Sequence, residues 1–149
     1  MMIYKRWLIS YISLLKIIKE RKINKMITIK LCTKTMKTKD NNREFQVYFG
    51  YLYDTDKDGN RLETHNDKSL KIKLTKELEE RLKRDFDNKY PFFMLLDEDS
   101  KDYFVTIDKY KSGKPKLDKE GNKHCIMVIS NFRDIQEAPI ERLTIKDMF

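Results

Sequence analysis

The sequence predicts a mainly β domain in which a single helix interrupts a short series of strands, and three observations carry that prediction. Apolar residues alternate with polar ones in runs too short for helices. Two other runs, Tyr103-Phe104-Val105-Thr106-Ile107 and Cys125-Ile126-Met127-Val128-Ile129, are dense in the β-branched and aromatic side chains that suit a pleated surface. Beyond residue 25, only the segment opening at Thr75 repeats apolar residues at helical spacing.

Residues 1–25 are of a different kind. Trp7-Leu8-Ile9, Tyr11-Ile12, Leu14-Leu15 and Ile17-Ile18 are punctuated by Lys16 and Lys19, a run too short and too charged for a bilayer span, with no small-residue cleavage site after it. The segment fits a helical extension that packs on the domain, lies on a membrane surface or binds a partner. A second reading stays open. Met26-Ile27-Thr28-Ile29-Lys30 makes an ordinary domain start, and codons for Lys19-Glu20-Arg21 can form a purine-rich ribosome-binding site, which makes Met26 the initiator and residues 1–25 a translated leader.

Residues 26–132 fit one domain with one core, followed by a tail over 133–149. Strands are expected at 27–36, 44–53, 70–74 and 92–96, ahead of the two runs already named. Thr75 suits the N-cap of the helix, and Leu78, Leu82 and Phe86 recur on one face. Glu77/Arg81, Glu79/Lys83 and Glu80/Arg84 are opposite charges at i,i+4 spacing, the pattern of a solvated face, and Tyr90-Pro91 ends the helical region. In the tail, Ile140, Leu143, Ile145, Met148 and Phe149 are apolar enough to seal a homodimer or dock on another protein.

The formal charge of +8, from 32 basic and 24 acidic residues, is unevenly placed. Residues 1–25 hold seven basic side chains and one acid, leaving 25 against 23 in the remainder, so the domain itself is barely positive. Its positive charge concentrates in two segments. One holds Lys30, Lys34, Lys37, Lys39 and Arg43 against Asp40; the other holds Lys109, Lys111, Lys114, Lys116, Lys119 and Lys123 against Asp118 and Glu120. Ser112-Gly113 and Pro115 keep the second non-helical, as a basic, flexible loop. Lysines in a hairpin loop also serve solvation and protect an edge from aggregation, so this loop alone decides nothing.

Catalytic and metal chemistry find little to use. Asp54, Asp56, Asp58 and Gly59 open like a calcium loop, but His65 stands where a bidentate glutamate belongs and Arg61 where an apolar residue does. The same Asp-Lys-acid-Gly-Asn-basic pattern recurs at Asp118-Lys119-Glu120-Gly121-Asn122-Lys123, which marks both copies as turns. Cys32 and Cys125 lack metal spacing and read as reduced cytosolic thiols, His65 and His124 lack a nucleophile pattern, and no Gly-rich phosphate loop exists. Asp97-Glu98-Asp99 with Asp102 makes an acidic bend best explained by solvation. The expectation is a cytoplasmic non-enzyme without metal or cofactor.

Strand, strand, strand, helix, strand, strand is the element order of an OB-fold, a five-stranded Greek-key barrel with its helix between strands three and four. Residues 92–96 then supply the first half of strand four, separated from Tyr103 by the acidic bend. Over residues 74–132 the chain resembles bacterial and phage single-stranded DNA-binding proteins: Tyr110, beyond a strand, is followed by a basic, acid-flanked loop turning at Gly121, and then by strand five. Lys146-Asp147-Met148-Phe149 ends in an aromatic after an acid, as that family's partner-binding tip does. The family's strand-four glycine, stacking tryptophans and long Gly/Gln-rich tail have no counterpart here. The resemblance implies an OB-fold, sequence-tolerant binding of single-stranded DNA, and a protein partner for the C-terminal tail.

In such a barrel the loops after strand one and before strand five flank the ligand face, and these are the two positive segments. Alternation turns Leu70, Ile72 and Leu74 inward and leaves Lys71 and Lys73 outside; Val105 and Ile107 turn inward, leaving Phe104 and Thr106 outside. It sets Phe45, Val47 and Phe49 on one face of strand two and Gln46 and Tyr48 on the other, with Gly50 a candidate bulge. The expected binding set is Lys34, Lys37, Lys39, Arg43, Lys71, Lys73, Lys111, Lys114, Lys116 and Lys123 for phosphates, with Tyr48 preferred for stacking and Phe104 and Tyr110 beside it. The expected function is non-catalytic binding of single-stranded DNA with little sequence preference, RNA being less favoured, as phages and mobile elements encode for replication or transfer. The lysine- and isoleucine-rich, alanine-poor composition fits a low-GC bacterium or its phage. The competing expectation is an OB-like module that binds a protein, such as a host factor, through the same aromatics.

Overall fold

The computed structural model describes residues 10–21, 26–40, 42–56, 58, 60–66 and 68–138. Helix α1 (Tyr11–Arg21) precedes β1 (Met26–Lys37), β2 (Glu44–Thr55), β3 (Arg61–His65) and β4 (Leu70–Leu74). Helix α2 (Lys76–Phe86) follows, then β5 (Phe92–Asp97), β6 (Tyr103–Ile107), β7 (Cys125–Ile129) and β8 (Asp134–Glu137). The protein is mainly β. Its strands form one open sheet in the order β6-β7-β4-β2-β1-β5-β8, with β3 paired onto β2 off that path. Every pair is antiparallel except β4 with β7, which runs parallel from Lys71↔Ile126 to Leu74↔Ile129.

This open path differs from the closed five-stranded barrel expected. The segment expected as strand four is two strands, β5 pairing with β1 and β6 with β7. The break is made by the acidic bend, which is bonded inward rather than merely solvated. The Asp102 N–H donates to the Asp97 carbonyl at 3.1 Å, the Asp97 N–H donates to the Asp102 carboxylate at 2.8 Å, and Lys101 takes a left-handed φ of 56°. Two further strands were not expected: β3, and β8, which occupies the start of what was expected as a tail and pairs with β5. Residues 139–149 of that tail lie outside the described residues.

The core follows from alternation. Ile27, Ile29 and Leu31 of β1, Leu52 of β2, Leu70, Ile72 and Leu74 of β4, Phe92, Met94 and Leu96 of β5, and Met127 and Ile129 of β7 meet Leu78 and Leu82 of α2. Side chains of this size each contribute about 1.5–3 kcal/mol when fully buried. Gly50 makes no bulge toward β1, because that ladder runs unbroken from Thr28↔Tyr53 to Lys37↔Glu44. A Cβ at Gly50 would stand 2.6 Å from the Lys30 carbonyl oxygen and 2.7 Å from Ile72 Cδ1, so only glycine lets β2 pass between β1 and β4.

The two helices occupy opposite ends of the β4–β7 pair. Helix α1 starts at the foot of β7, where the Tyr11 N–H donates to the Lys123 carbonyl at 2.9 Å and Ser10 bridges His124. Its Leu14 and Ile18 are buried in the common core, while Ile12 and Leu15 are exposed. Helix α2 leaves from the other end, directly after β4, where the Thr75 N–H donates to Ile129 at 3.1 Å. Thr75 caps it by accepting the Leu78 N–H at 3.3 Å. Thr75→Ala is therefore expected to cost about 1 kcal/mol in urea unfolding. On the outer face of α2, Arg81 turns to the Asn131 side chain (3.1 Å) and lies over the Phe132 ring, and Arg84 pairs with Asp85, rather than with Glu77 and Glu80. Among the described residues no helix is long and apolar enough to cross a membrane.

Candidate functional site

The outward face of β2 is the centre of the site. Because Ile27, Ile29 and Leu31 point into the core, Thr28, Lys30 and Cys32 point out, and register carries that parity to β2: Thr28 opposes Tyr53, Lys30 opposes Tyr51, Cys32 opposes Phe49, Lys34 opposes Val47 and Met36 opposes Phe45. On the other side, Phe49 opposes Lys71 of β4, and Lys73 lies two residues further along that strand's outer face. Phe45, Val47, Phe49 and Tyr51 therefore form an apolar row between strands that carry lysines. Phe45 is 43% exposed and the other three are half-buried. The far end of the row is closed: Tyr53 packs on Phe93 with ring centroids 5.0 Å apart, His65 of β3 covers both Tyr51 and Tyr53, and Arg61 lies 3.7 Å over the Phe93 ring.

The two basic segments leave this face at opposite ends. The turn between β1 and β2 sits at the N-terminal end of β2, closed by the Thr38 N–H on the Arg43 carbonyl (2.9 Å), and it displays Lys37, Lys39 and Arg43. The segment between β6 and β7 sits at the N-terminal end of β7; since β4 parallels β7 and opposes β2, this is the C-terminal end of β2. The second segment is built rather than loose. Bridges at Lys109↔Pro115 and Leu117↔Lys123 divide it into two small turns, presenting Lys111, Lys114 and Lys123 to solvent.

The expected binding residues fall into three groups. Lys34, Lys37, Lys39, Arg43, Lys73, Lys111, Lys114, Lys123, Phe104 and Tyr110 stand on the outer face or its flanking loops, with Phe104 58% and Tyr110 55% exposed. Lys37 lies 3.9 Å from Glu44, and Lys34 is half-buried opposite Val47. Lys71 and Lys116 are engaged by Asp108, at 2.9 and 3.5 Å, and the Lys116 ammonium lies 5.4 Å over the Tyr110 ring. Although burial works the other way, these lysines hold the Asp108 carboxyl below the usual carboxylate range. Tyr48 stands apart from both groups. It lies on the inward side of β2, packed against the core edge with its ring 5.8 Å from Tyr90, and burial followed by the Glu79 charge pushes its phenol upward. The aromatic residues that the ladder places on the outward face are Phe45, Phe49 and Tyr51, with Lys30 opposite Tyr51. The signal that finds them is the Ile27, Ile29, Leu31 pattern of β1 carried across the ladder.

Other groups have structural explanations. Asp56 accepts the N–H groups of Asp58 and Asn60, both at 2.9 Å, and Asp118 accepts those of Glu120 and Asn122, also at 2.9 Å, so the two similar sequences build the same turn. Burial raises the Cys32 thiol, and burial with the Asp108 charge pushes Cys125 up to about 12, so neither is poised as a thiolate nucleophile at neutral pH. Among the described residues no group of three or more His, Cys, Asp or Glu side chains is arranged to hold a metal ion. Fold and face together define the class as a mainly β protein with an outward aromatic strand set between lysine-bearing neighbours. No family model matches the chain, and no curated protein or solved structure matches it either.

Proposed function

We propose that the protein binds single-stranded DNA, without catalysis and with little sequence preference, along the outer face of β1, β2 and β4. The observation that carries this reading is the pair of outward rings Phe45 and Phe49 on β2, with Lys71 opposite Phe49 and a basic segment toward each end of the strand. Aromatic rings stack on any base, and ammonium groups on either side follow the phosphates, which gives affinity without base-edge readout. The strand pairings support an OB-like architecture. If β5 and β6 are taken as two halves of one bent strand, the order closes as β1-β2-β4-β7-β6/β5-β1, with β4 and β7 the parallel strands three and five and α2 between strands three and four.

Fluorescence anisotropy with labelled oligo-dT at low and physiological salt tests the reading. Micromolar or tighter binding is expected at low salt, weakening as salt rises with a log–log slope of about −0.7 per phosphate contacted. Lys111→Glu with Lys114→Glu, both exposed, is expected to lower affinity about tenfold for every sequence tried and to flatten the slope by about 1.4. No binding at low salt, or binding indifferent to salt, overturns the proposal and favours a protein ligand for the same face.

A further inference from the structure

Two cations from distant parts of the chain converge on one oxygen at the edge of the proposed face. Lys71 Nζ, from β4, and Lys116 Nζ, from the segment before β7, stand 2.9 and 3.5 Å from Asp108 Oδ2. Asp108 is held in place by its backbone, its N–H donating to the His124 carbonyl at 3.0 Å and its own carbonyl accepting the Lys116 N–H at 2.9 Å. The carboxylate side chain is 14% exposed, whereas the Lys116 and Lys71 side chains are 29% and 37% exposed, so the lysines are the more accessible part of the cluster.

We infer that Lys71 and Lys116 form a seat for one phosphate group and that Asp108 is its built-in occupant, competing with a phosphodiester ligand for both ammonium groups. The seat lies between two ring surfaces: Lys71 stands opposite Phe49, and Lys116 lies over Tyr110. That is where the phosphate linking two stacked bases would sit. Two ammonium groups on one oxygen are more positive charge than a single carboxylate neutralises, and partly exposed ion pairs of this kind are weak enough to be exchanged. Asp108 remains ionised at neutral pH, because the two lysines hold its carboxyl low against the effect of burial. It therefore holds a permanent negative charge against any incoming phosphate. This inference rests on the nucleic-acid reading for its natural ligand; the seat itself is defined by phosphate chemistry alone.

The test compares Asp108→Asn, which removes the charge and keeps the shape, with Asp108→Glu, which keeps the charge. For the asparagine variant, oligo-dT affinity is expected to rise roughly fivefold or more, with the salt slope steeper by about 0.7, while the glutamate variant stays near wild type. Inorganic phosphate at fixed ionic strength is expected to raise the melting temperature of the asparagine variant more than that of wild type, and adding Lys71→Gln should remove the difference. If the asparagine variant melts too low to titrate, the wild-type protein decides: phosphate should shift the Lys71 and Lys116 ammonium resonances together in a lysine-selective NMR spectrum. Ammonium resonances that do not respond to phosphate, or a folded asparagine variant whose melting temperature phosphate raises no more than wild type's, overturn the seat. If phosphate stabilises the asparagine variant while no form binds oligo-dT, the nucleic-acid reading fails and the seat stands as a site for a smaller phosphate ligand.

Discussion

Replacing Phe45 and Phe49 together by alanine is expected to weaken oligo-dT binding by about 1–3 kcal/mol for each ring that stacks a base, at least tenfold in all, and to leave the salt slope where it was. Both side chains lie on the outward side of β2 and neither belongs to the main core cluster, so the fold should survive their removal. Separating affinity from slope is the point of measuring at two salt concentrations. Rings contribute through contact with the bases, whereas lysines contribute through displaced counterions, so a stacking residue and a phosphate residue leave different traces. Affinity within twofold of wild type, in a variant that still unfolds cooperatively, would remove β2 from the site even if the protein bound DNA elsewhere.

Arg133→Ala is expected to lower the midpoint of urea unfolding clearly below that of wild type. Asp102 is fully buried; it takes two bonds from the Arg133 guanidinium, at 2.8 and 3.0 Å, and a third from the Asp97 N–H at 2.8 Å. Its carbonyl oxygen also accepts the Ser130 and Asn131 N–H groups, so one residue ties the turn between β5 and β6 to the chain leaving β7. Without the guanidinium the buried carboxylate keeps the Asp97 N–H as its donor, and a buried charge short of partners is costly. Arg133→Met combined with Asp102→Asn removes both charges and should recover much of the loss. An unfolding midpoint unchanged from wild type for the single variant would mean that the carboxylate reaches water and that the clamp is dispensable.

Local pattern exposed most of the architecture. Alternation or short apolar, β-branched runs located β1, β2, β4, β5, β6 and β7, and Thr75 with Leu78 and Leu82 located α2. The strands that escaped lack that signature. Arg61-Leu62-Glu63-Thr64-His65 keeps only Arg61 half-buried, and Asp134-Ile135-Gln136-Glu137 has one apolar residue, so each depends on its neighbour's edge rather than on its own pattern. The division of strand four was visible as an acidic bend, but its inward bonding depends on Arg133, 31 residues further along. Tyr48 shows the same limit. Alternation within β2 separates its two faces but does not say which is inside, and that is decided by β1 and by the space Gly50 leaves beside Ile72.

The anchorage of α1 also orders events during synthesis. The helix leaves the ribosome before every strand, yet its docking site at Lys123 and His124, at the foot of β7, is among the last parts of the domain to be made. Until then Leu14 and Ile18 have no completed core to enter, and the β1–β2 hairpin carries its apolar inner face without the strands that will cover it. The nascent chain therefore carries these apolar surfaces without their final cover through most of synthesis, and closes both ends of the β4–β7 pair only after residue 129 has emerged.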